Sequence, residues 1–176
     1  MVGYWSVYDN VNDSRVELVC VIFAGYGQNQ GGENSTLWAK ASTQNLKVDD
    51  TYRITRFNCS PELFNPDERH SNYINGTGVF IHEMSHCMGL PDLYQTNGTY
   101  ADNQGMESWS IMDYGLYNRN GFAPSSYNAW EREVMGWSLM EPISAPTQVN
   151  LLKPWEDGGT AYKIVNSSDD NEYIVS

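Results

Sequence analysis

The segment from residue 82 to residue 92, His-Glu-Met-Ser-His-Cys-Met-Gly-Leu-Pro-Asp, constrains this chain more than any other. His82 and His86 are four residues apart, so a helix would place both imidazoles on one face, one turn apart, where they can bind one zinc ion. Glu83 follows the first histidine and would lie beside the metal, where a general base for a metal-activated water is needed. We therefore predict a catalytic zinc site with Glu83 as its base.

Asp92 is the predicted third zinc ligand. Gly89 favours the left-handed conformation that ends helices, and Pro91 cannot continue a helix, so the chain can turn back and return the Asp92 carboxylate to the metal. Three protein ligands leave the fourth zinc position for water, as in catalytic sites. Two other residues remain open as the third ligand: Glu107, further downstream, and Asp113, which could instead brace the turn that contains it.

The composition is acidic, with 176 residues, a formal net charge of −12 and 40% hydrophobic residues. This length allows one domain with a proper core, and the hydrophobic content argues against disorder. The negative charge excludes nucleic acid as an expected partner, because phosphate repels it. It leaves Ca²⁺ open as a further cofactor, although no Asp-x-Asp-x-Asp-Gly loop is present. We predict no transmembrane segment and find no signal peptide.

The three cysteines, Cys20, Cys59 and Cys87, form no Cys-x-x-Cys pair, so neither a zinc ribbon nor a disulfide scaffold is indicated. We expect buried free thiols, because unpaired cysteine behaves as a small hydrophobic side chain. A single Cys20–Cys59 bridge is the alternative.

The predicted elements follow the order strands, helix, loop, helix, strands, which indicates an α+β fold with a mixed sheet over the active-site helix. The first helix spans residues 78–88 with Thr77 as its N-cap, and its core-facing side chains are Phe80, Met84, Cys87 and Met88. The second opens at Pro124 with Ser125 or Ser126 and stops at Gly136. Loops are predicted at residues 58–76, 95–108 and 117–123. Strands are predicted at residues 4–8 (an edge strand), 16–24 (a buried central strand), 37–41, 52–57, 148–152, 161–165 and 172–175.

Residues 110–114, Ser-Ile-Met-Asp-Tyr, resemble the Met-turn of metzincin zinc proteases, in which a methionine lies beneath the metal. Met112 takes the methionine position and is expected to form an apolar floor. Tyr114 matches a tyrosine that several of these families place two residues later. Two roles stay open for Tyr114: a hydrogen bond to the developing oxyanion, or packing alone.

More closely, the chain resembles the M6 family, the immune-inhibitor-A-like metallopeptidases. The matching segments are residues 21–27, 82–94, 109–115 and 127–137, although Trp38-Ala-Lys40 stands where family members often show Trp-Pro-His. The resemblance implies a zincin or metzincin-like fold whose C-terminal subdomain contains the Met-turn and the second helix. It also implies a secreted zinc endopeptidase that acts on protein or peptide substrates.

We expect residues 1–176 to form a single catalytic domain of a longer protein that carries further domains. The chain ends inside a predicted strand, whereas natural ends usually lie outside sheets. Two rival functions remain: a zinc hydrolase acting on a non-peptide ester or amide, and an inactive zinc-binding module. The intact Glu83 argues against the inactive module, because loss of the base is the usual route to an inactive homologue.

Overall fold

The structure, a computed structural model, describes residues 4–64, 73–97, 105–146, 148, 153–154 and 157–175. It contains two compact units, Met1–Ser126 and Tyr127–Ser176. The first holds a five-stranded mixed sheet and the longer helix, and the second holds a three-stranded sheet and a short helix. The predicted mixed sheet is therefore present. The turn at residues 110–114 lies in the first unit, and the second helix lies in the second unit.

Strand β4, Arg53–Phe64, forms the centre of the sheet in the first unit. β1 (Arg15–Val16) and β2 (Val19–Tyr26) run parallel to β4 along one edge. β3 (Lys40–Lys47) runs antiparallel along the opposite edge, and β5 (Tyr73–Ile74) pairs antiparallel with the end of β4. The middle of β4 is paired on both sides, so it is β4 that forms the interior of the sheet.

Residues 19–26 do form a strand, as predicted for residues 16–24, but the predicted buried, central place of this strand in the sheet is wrong. β2 is an edge strand among the described residues, with Val21 43% and Ile22 66% exposed. A β-branched run shows that a segment suits a pleated sheet, but it does not show which of several strands lies in the middle. That place depends on long-range pairing.

The predicted loop at residues 58–76 is wrong in its first part, because β4 continues to Phe64. Pro61 has no N–H to donate, but β3 pairs with β4 only as far as Cys59. The Pro61 carbonyl accepts a hydrogen bond from Asn75 Nδ2 at 3.3 Å. The proline lies beyond the pairing with β3 and next to a register shift in the pairing with β2, and such irregular positions are where sheets tolerate proline. Residues 65–72 of that prediction lie outside the described residues.

Two shorter strand predictions also need correction. Residues 4–8 do not form an edge strand, because Trp5–Tyr8 is a 3₁₀ helix in which Val7 N–H donates to the Tyr4 carbonyl at 3.1 Å. The strand predicted at residues 37–41 begins only at Lys40 and runs to Lys47. Its polar sequence carries little strand signal, and pairing with β4 supplies the stabilisation instead.

Helix α1 spans Gly78–Met88, the predicted range. Thr77 occupies the N-cap position, but its side chain makes no capping hydrogen bond. Gly89 ends the helix with φ of 109°, the left-handed conformation that glycine adopts without strain. α1 packs against β3, β4 and the 3₁₀ segment Tyr114–Gly121. The C-terminal end of the helix is thus set by local sequence, and the helix lies against the sheet as predicted.

The buried face of α1 differs from the predicted one. Cys87 is buried, but Met88 is 38% exposed, and Phe80 and Met84 are only half-buried. The buried side chains of α1 are instead mostly polar or small: Val79, His82, Glu83, Ser85 and Cys87. The face that carries the predicted ligands is therefore itself covered by protein.

The three cysteines are free thiols, so the alternative of a bridge is excluded. Only Cys87 is buried, whereas Cys59 is half-buried and Cys20 is exposed, which corrects the expectation of three buried thiols. In the register of β2 and β4, Cys20 lies opposite Asn58. Because neighbouring residues of a strand point to opposite faces, the Cys59 side chain leaves the sheet on the other side from Cys20.

The second unit contains α2 (Ala129–Val134) and the strands β6 (Glu141–Pro142), β7 (Tyr162–Asn166) and β8 (Asp169–Val175). β7 and β8 confirm the strands predicted at residues 161–165 and 172–175. Residues 149–152 of the remaining strand prediction lie outside the described residues. Neither α2 nor any other helix in the described ranges combines the length and hydrophobicity that a bilayer-spanning segment needs.

The start of α2 differs from the prediction at Pro124. Asn128 is the N-cap, and it forms a reciprocal capping box with Glu131, whose carboxylate accepts from the Asn128 N–H at 2.6 Å. This arrangement satisfies two backbone donors at once, so it outweighs the preference of proline for a helix start. Gly136, in the left-handed conformation with φ of 72°, follows the helix end as predicted.

Candidate metal centre

Three side chains converge at one point beside α1. His82 Nε2 and His86 Nε2 are 3.1 Å apart, and Asp92 Oδ1 lies 3.2 Å from the former and 3.1 Å from the latter. For zinc bound tetrahedrally at about 2.1 Å, neighbouring ligand atoms are about 3.4 Å apart. The donor set and its spacing therefore fit a single zinc ion. Among the described residues, this is the group of ionisable side chains close enough together to hold a metal.

Asp92 reaches this point because the chain reverses directly after α1. Gly89 N–H and Leu90 N–H bond back to the last turn of the helix, and Leu93 N–H then donates to the Met112 carbonyl at 2.9 Å. The loop is therefore fixed on both sides of Asp92. Asp92 Oδ1 is buried and accepts no hydrogen bond among the described residues, which fits an oxygen that serves as a metal ligand.

Backbone carbonyls orient both imidazoles. His82 Nδ1 lies 2.8 Å from the Ile111 carbonyl, and His86 Nδ1 lies 2.8 Å from the Leu90 carbonyl. A carbonyl can only accept, so each Nδ1 carries the proton and each Nε2 presents its lone pair to the shared point. Metal-binding histidines in proteins are held in this way.

The charges of the three groups are coupled. Burial would raise the pKa of Asp92, but the His82 and His86 imidazoles hold it well below its usual range. Burial lowers the pKa of His86, yet the Asp92 carboxylate and the Leu90 carbonyl raise it overall. The Asp92 carboxylate is therefore ionised, as a carboxylate that binds a metal must be.

Glu83 lies beside the three ligand side chains and is buried, with 8% of its surface exposed to solvent. Burial raises the pKa of Glu83, and the nearby histidines lower it only in part. The Ala41 backbone of β3 also lowers this pKa slightly. A buried carboxylate whose pKa is raised above its ordinary value has the properties of a general base.

The turn at residues 110–114 lies directly against the site. Met112 is completely buried, and its neighbour Ile111 supplies the carbonyl that orients His82. The Asp113 carboxylate is also completely buried and accepts three backbone N–H groups, from Met106 at 2.8 Å, Glu107 at 2.6 Å and Tyr114 at 2.7 Å. Asp113 thus braces the turn, and neither it nor Glu107 belongs to the converging group.

A cavity of about 180 Å³ opens at the site. Tyr114 is 50% exposed and lines this cavity together with His82 and Glu83, so its side chain is available to a bound molecule. Its ring packs edge-on against Tyr117, with centroids 5.3 Å apart. The other lining residues are Asn29, Trp38, Val79, Tyr94, Asp113, Leu116 and Tyr117.

Tyr94, Asn29 and Tyr117 were not predicted as site residues. Tyr94 had a local signal, because it lies only two residues after the predicted ligand Asp92. Asn29 and Tyr117 are joined by a hydrogen bond from the Tyr117 hydroxyl to the Asn29 carbonyl at 3.3 Å, across 88 residues of sequence. No local pattern carries that information.

Comparison with known proteins identifies the family of this chain. The family model described as immune inhibitor A peptidase M6, catalytic domain, matches residues 8–139. The chain therefore belongs to the M6 peptidase family, which confirms the resemblance seen in the sequence. It is also 26% identical over 140 residues to Immune inhibitor A of Bacillus thuringiensis subsp. alesti. That match covers 70% of this chain and 19% of the relative, so the chain spans about a fifth of that protein's length.

Proposed function

We propose that this protein is a zinc-dependent endopeptidase in which a metal-activated water attacks the peptide bond. The observation that carries the proposal is the convergence of His82, His86 and Asp92 to within 3.2 Å of one another, with Glu83 buried beside them. When bound, zinc would polarise the scissile carbonyl and provide a nucleophile at neutral pH. Membership of a peptidase family supports this reaction over other hydrolyses.

Each nearby residue has a role in the proposed reaction. Glu83 takes a proton from the attacking water and passes it to the leaving amine. Tyr114 donates a hydrogen bond to the carbonyl oxygen as negative charge develops there. Met112 forms the apolar floor beneath the ligands. These assignments rest on burial and on the shared cavity.

The proposed substrates are proteins or peptides, and we propose that the protein acts outside the cell, as the M6 resemblance implies.

We also keep the proposal that residues 1–176 act as one catalytic domain of a longer chain. Sequencing of the native reading frame tests that proposal, because a stop codon directly after Ser176 would contradict it. Ca²⁺ as a further cofactor stays a prediction, and equilibrium dialysis against calcium tests it.

Metal content and proteolysis together test the main proposal. Purified protein should carry about one zinc per chain and should cleave casein, and phenanthroline should abolish the cleavage. Metal-free protein with full activity would overturn the proposal. Zinc-bound protein that leaves casein intact but hydrolyses small esters would support the non-peptide hydrolase instead. Zinc-bound protein without either activity would support the inactive module.

The role of Glu83 as base is tested by Glu83→Gln, which keeps the shape of the side chain and removes its basicity. The variant should bind zinc with unchanged stoichiometry and lose activity by about 10²-fold or more. An empty metal site in Glu83→Gln would instead make Glu83 a ligand.

The third ligand is tested by comparing three alanine variants after dialysis. Asp92→Ala should lose zinc, whereas Glu107→Ala and Asp113→Ala should regain one zinc per chain when zinc is restored. If Asp92→Ala keeps its zinc and Glu107→Ala loses it, the proposed ligand set is wrong, although a metal-dependent peptidase would remain.

A further inference from the structure

Tyr94 was not predicted as a site residue, yet it lies beside the ligand set. Its ring is nearly parallel to that of His82, with an interplanar angle of 15° and centroids 6.5 Å apart. It is half-buried and lines the same cavity as Glu83. Tyr94 therefore lies beside the imidazole of one ligand and in the loop that carries another.

The backbone holds Tyr94 in this position. Leu93, between Asp92 and Tyr94, donates its N–H to the Met112 carbonyl at 2.9 Å, and Tyr94 itself forms an isolated bridge. Asp92 Oδ1 converges with the two imidazoles and Tyr94 lines the cavity at the same site, so both side chains face it. Burial raises the pKa of the Tyr94 hydroxyl, and the nearby Asp92 carboxylate raises it further, so the hydroxyl lies within reach of this carboxylate.

A monodentate carboxylate ligand needs a second contact to fix its orientation. Asp92 Oδ1 faces the two imidazoles, so one oxygen is committed to the proposed metal. Without a donor on the carboxylate, the group could rotate and exchange its two oxygens. Outer partners of this kind are what hold ligating carboxylates and imidazoles in the geometry that binding requires.

We propose that Tyr94 is a positioning residue for the metal centre, with its hydroxyl fixing the Asp92 carboxylate and its ring restricting the His82 imidazole. This inference rests on the proposed zinc site. It also separates the two tyrosines of the cavity. Tyr94 acts on the ligands, and the half-exposed Tyr114 is left to contact substrate.

The test is zinc affinity, measured by competition with a chromogenic chelator on the full chain. Tyr94→Phe keeps the ring and removes the hydroxyl, so it should weaken zinc binding by about 10- to 100-fold. Tyr94→Leu removes both contacts and should weaken binding further. Tyr114→Phe, the matched control from the same cavity, should bind zinc as the unaltered protein does. Zinc affinity of Tyr94→Phe within twofold of the unaltered protein would overturn the inference.

Two further measurements distinguish positioning from a general loss of structure. The melting temperature of metal-free Tyr94→Phe should match that of the unaltered metal-free protein, and its peptidase activity should recover as zinc is raised to saturation. Failure to recover at saturating zinc would contradict a role in positioning. Asp92→Ala serves as the reference. If Asp92→Ala binds zinc normally, the proposed zinc site is wrong. If Asp92→Ala loses zinc but Tyr94→Phe binds it normally, only the role of Tyr94 is wrong.

Discussion

Removal of the Asp113 carboxylate should destabilise the protein without removing a metal ligand. The side chain is completely buried and accepts N–H groups from Met106, Glu107 and Tyr114 at 2.6–2.8 Å. A hydrogen bond to a charged group contributes about 1.5–3 kcal/mol. The residues that donate these three are partly exposed, so water can replace some of what is lost. We therefore expect Asp113→Ala to cost about 3 kcal/mol, or about 1 kcal/mol for each donor.

Asp113→Asn is the sharper variant, because an amide has one oxygen where the carboxylate has two. Oδ2 accepts the Met106 and Glu107 N–H groups, and Oδ1 accepts the Tyr114 N–H. The single amide oxygen of asparagine can replace only one of these two oxygens, and its NH₂ group, which is a donor, would then face the remaining N–H donors. We expect a loss of about 1–2 kcal/mol, smaller than for alanine. For a chain of this size, the alanine variant should melt about 6–12 °C lower.

Thermal and urea unfolding of the metal-free and zinc-loaded proteins measure these effects. Asp50→Ala is the matched control, since Asp50 is a fully exposed partner of Lys47 at 2.9 Å and its removal should leave the unfolding midpoint nearly unchanged. Zinc stoichiometry of both Asp113 variants should stay near one at saturation. An Asp113→Ala protein as stable as the control, or one that cannot be loaded with zinc, would refute the assignment of Asp113 as a brace.

Two further substitutions test how α1 is held. Gly78→Ala would place a methyl group on the Leu116 carbonyl, so it should destabilise the protein by about 3 kcal/mol in urea unfolding. Gly105→Ala meets only an ordinary contact and should change little, and equal effects of the two would contradict the close approach. Arg56→Met removes the hydrogen bond of 2.9 Å from the guanidinium to the Cys87 carbonyl at the helix end, so it should cost about 1–2 kcal/mol. An unchanged unfolding midpoint would show that this bond contributes nothing.

The sequence predicted α1 and its end because the signals are local. The helix end depends on Gly89, and the spacing of His82 and His86 needs only a helical backbone to bring the imidazoles together. The reversal that returns Asp92 is also short, since three residues separate it from Gly89. Predictions that depend on neighbours in sequence could therefore be made residue by residue.

The sheet was predicted less well, because strand order is a long-range property. β2 has the stronger strand composition, yet β4 takes the centre because β2 pairs with one of its edges and β3 with the other. The exposure of Ile22 at 66% could not be derived from its own segment. The same limit applies to the cavity wall, where Asn29 and Tyr117 meet across 88 residues.

The turn at residues 110–114 acts on the site mainly through its backbone. The Ile111 carbonyl fixes the tautomer of His82, and the Met112 carbonyl holds Leu93, the residue directly after the third ligand. Two ligands from different segments are thus tied to adjacent peptide units of one turn, and Asp113 fixes that turn by three further backbone hydrogen bonds. Another buried side chain of similar volume at position 112 would leave these bonds in place. The geometry of the ligands should therefore be more sensitive to Asp113 than to the methionine after which such turns are named.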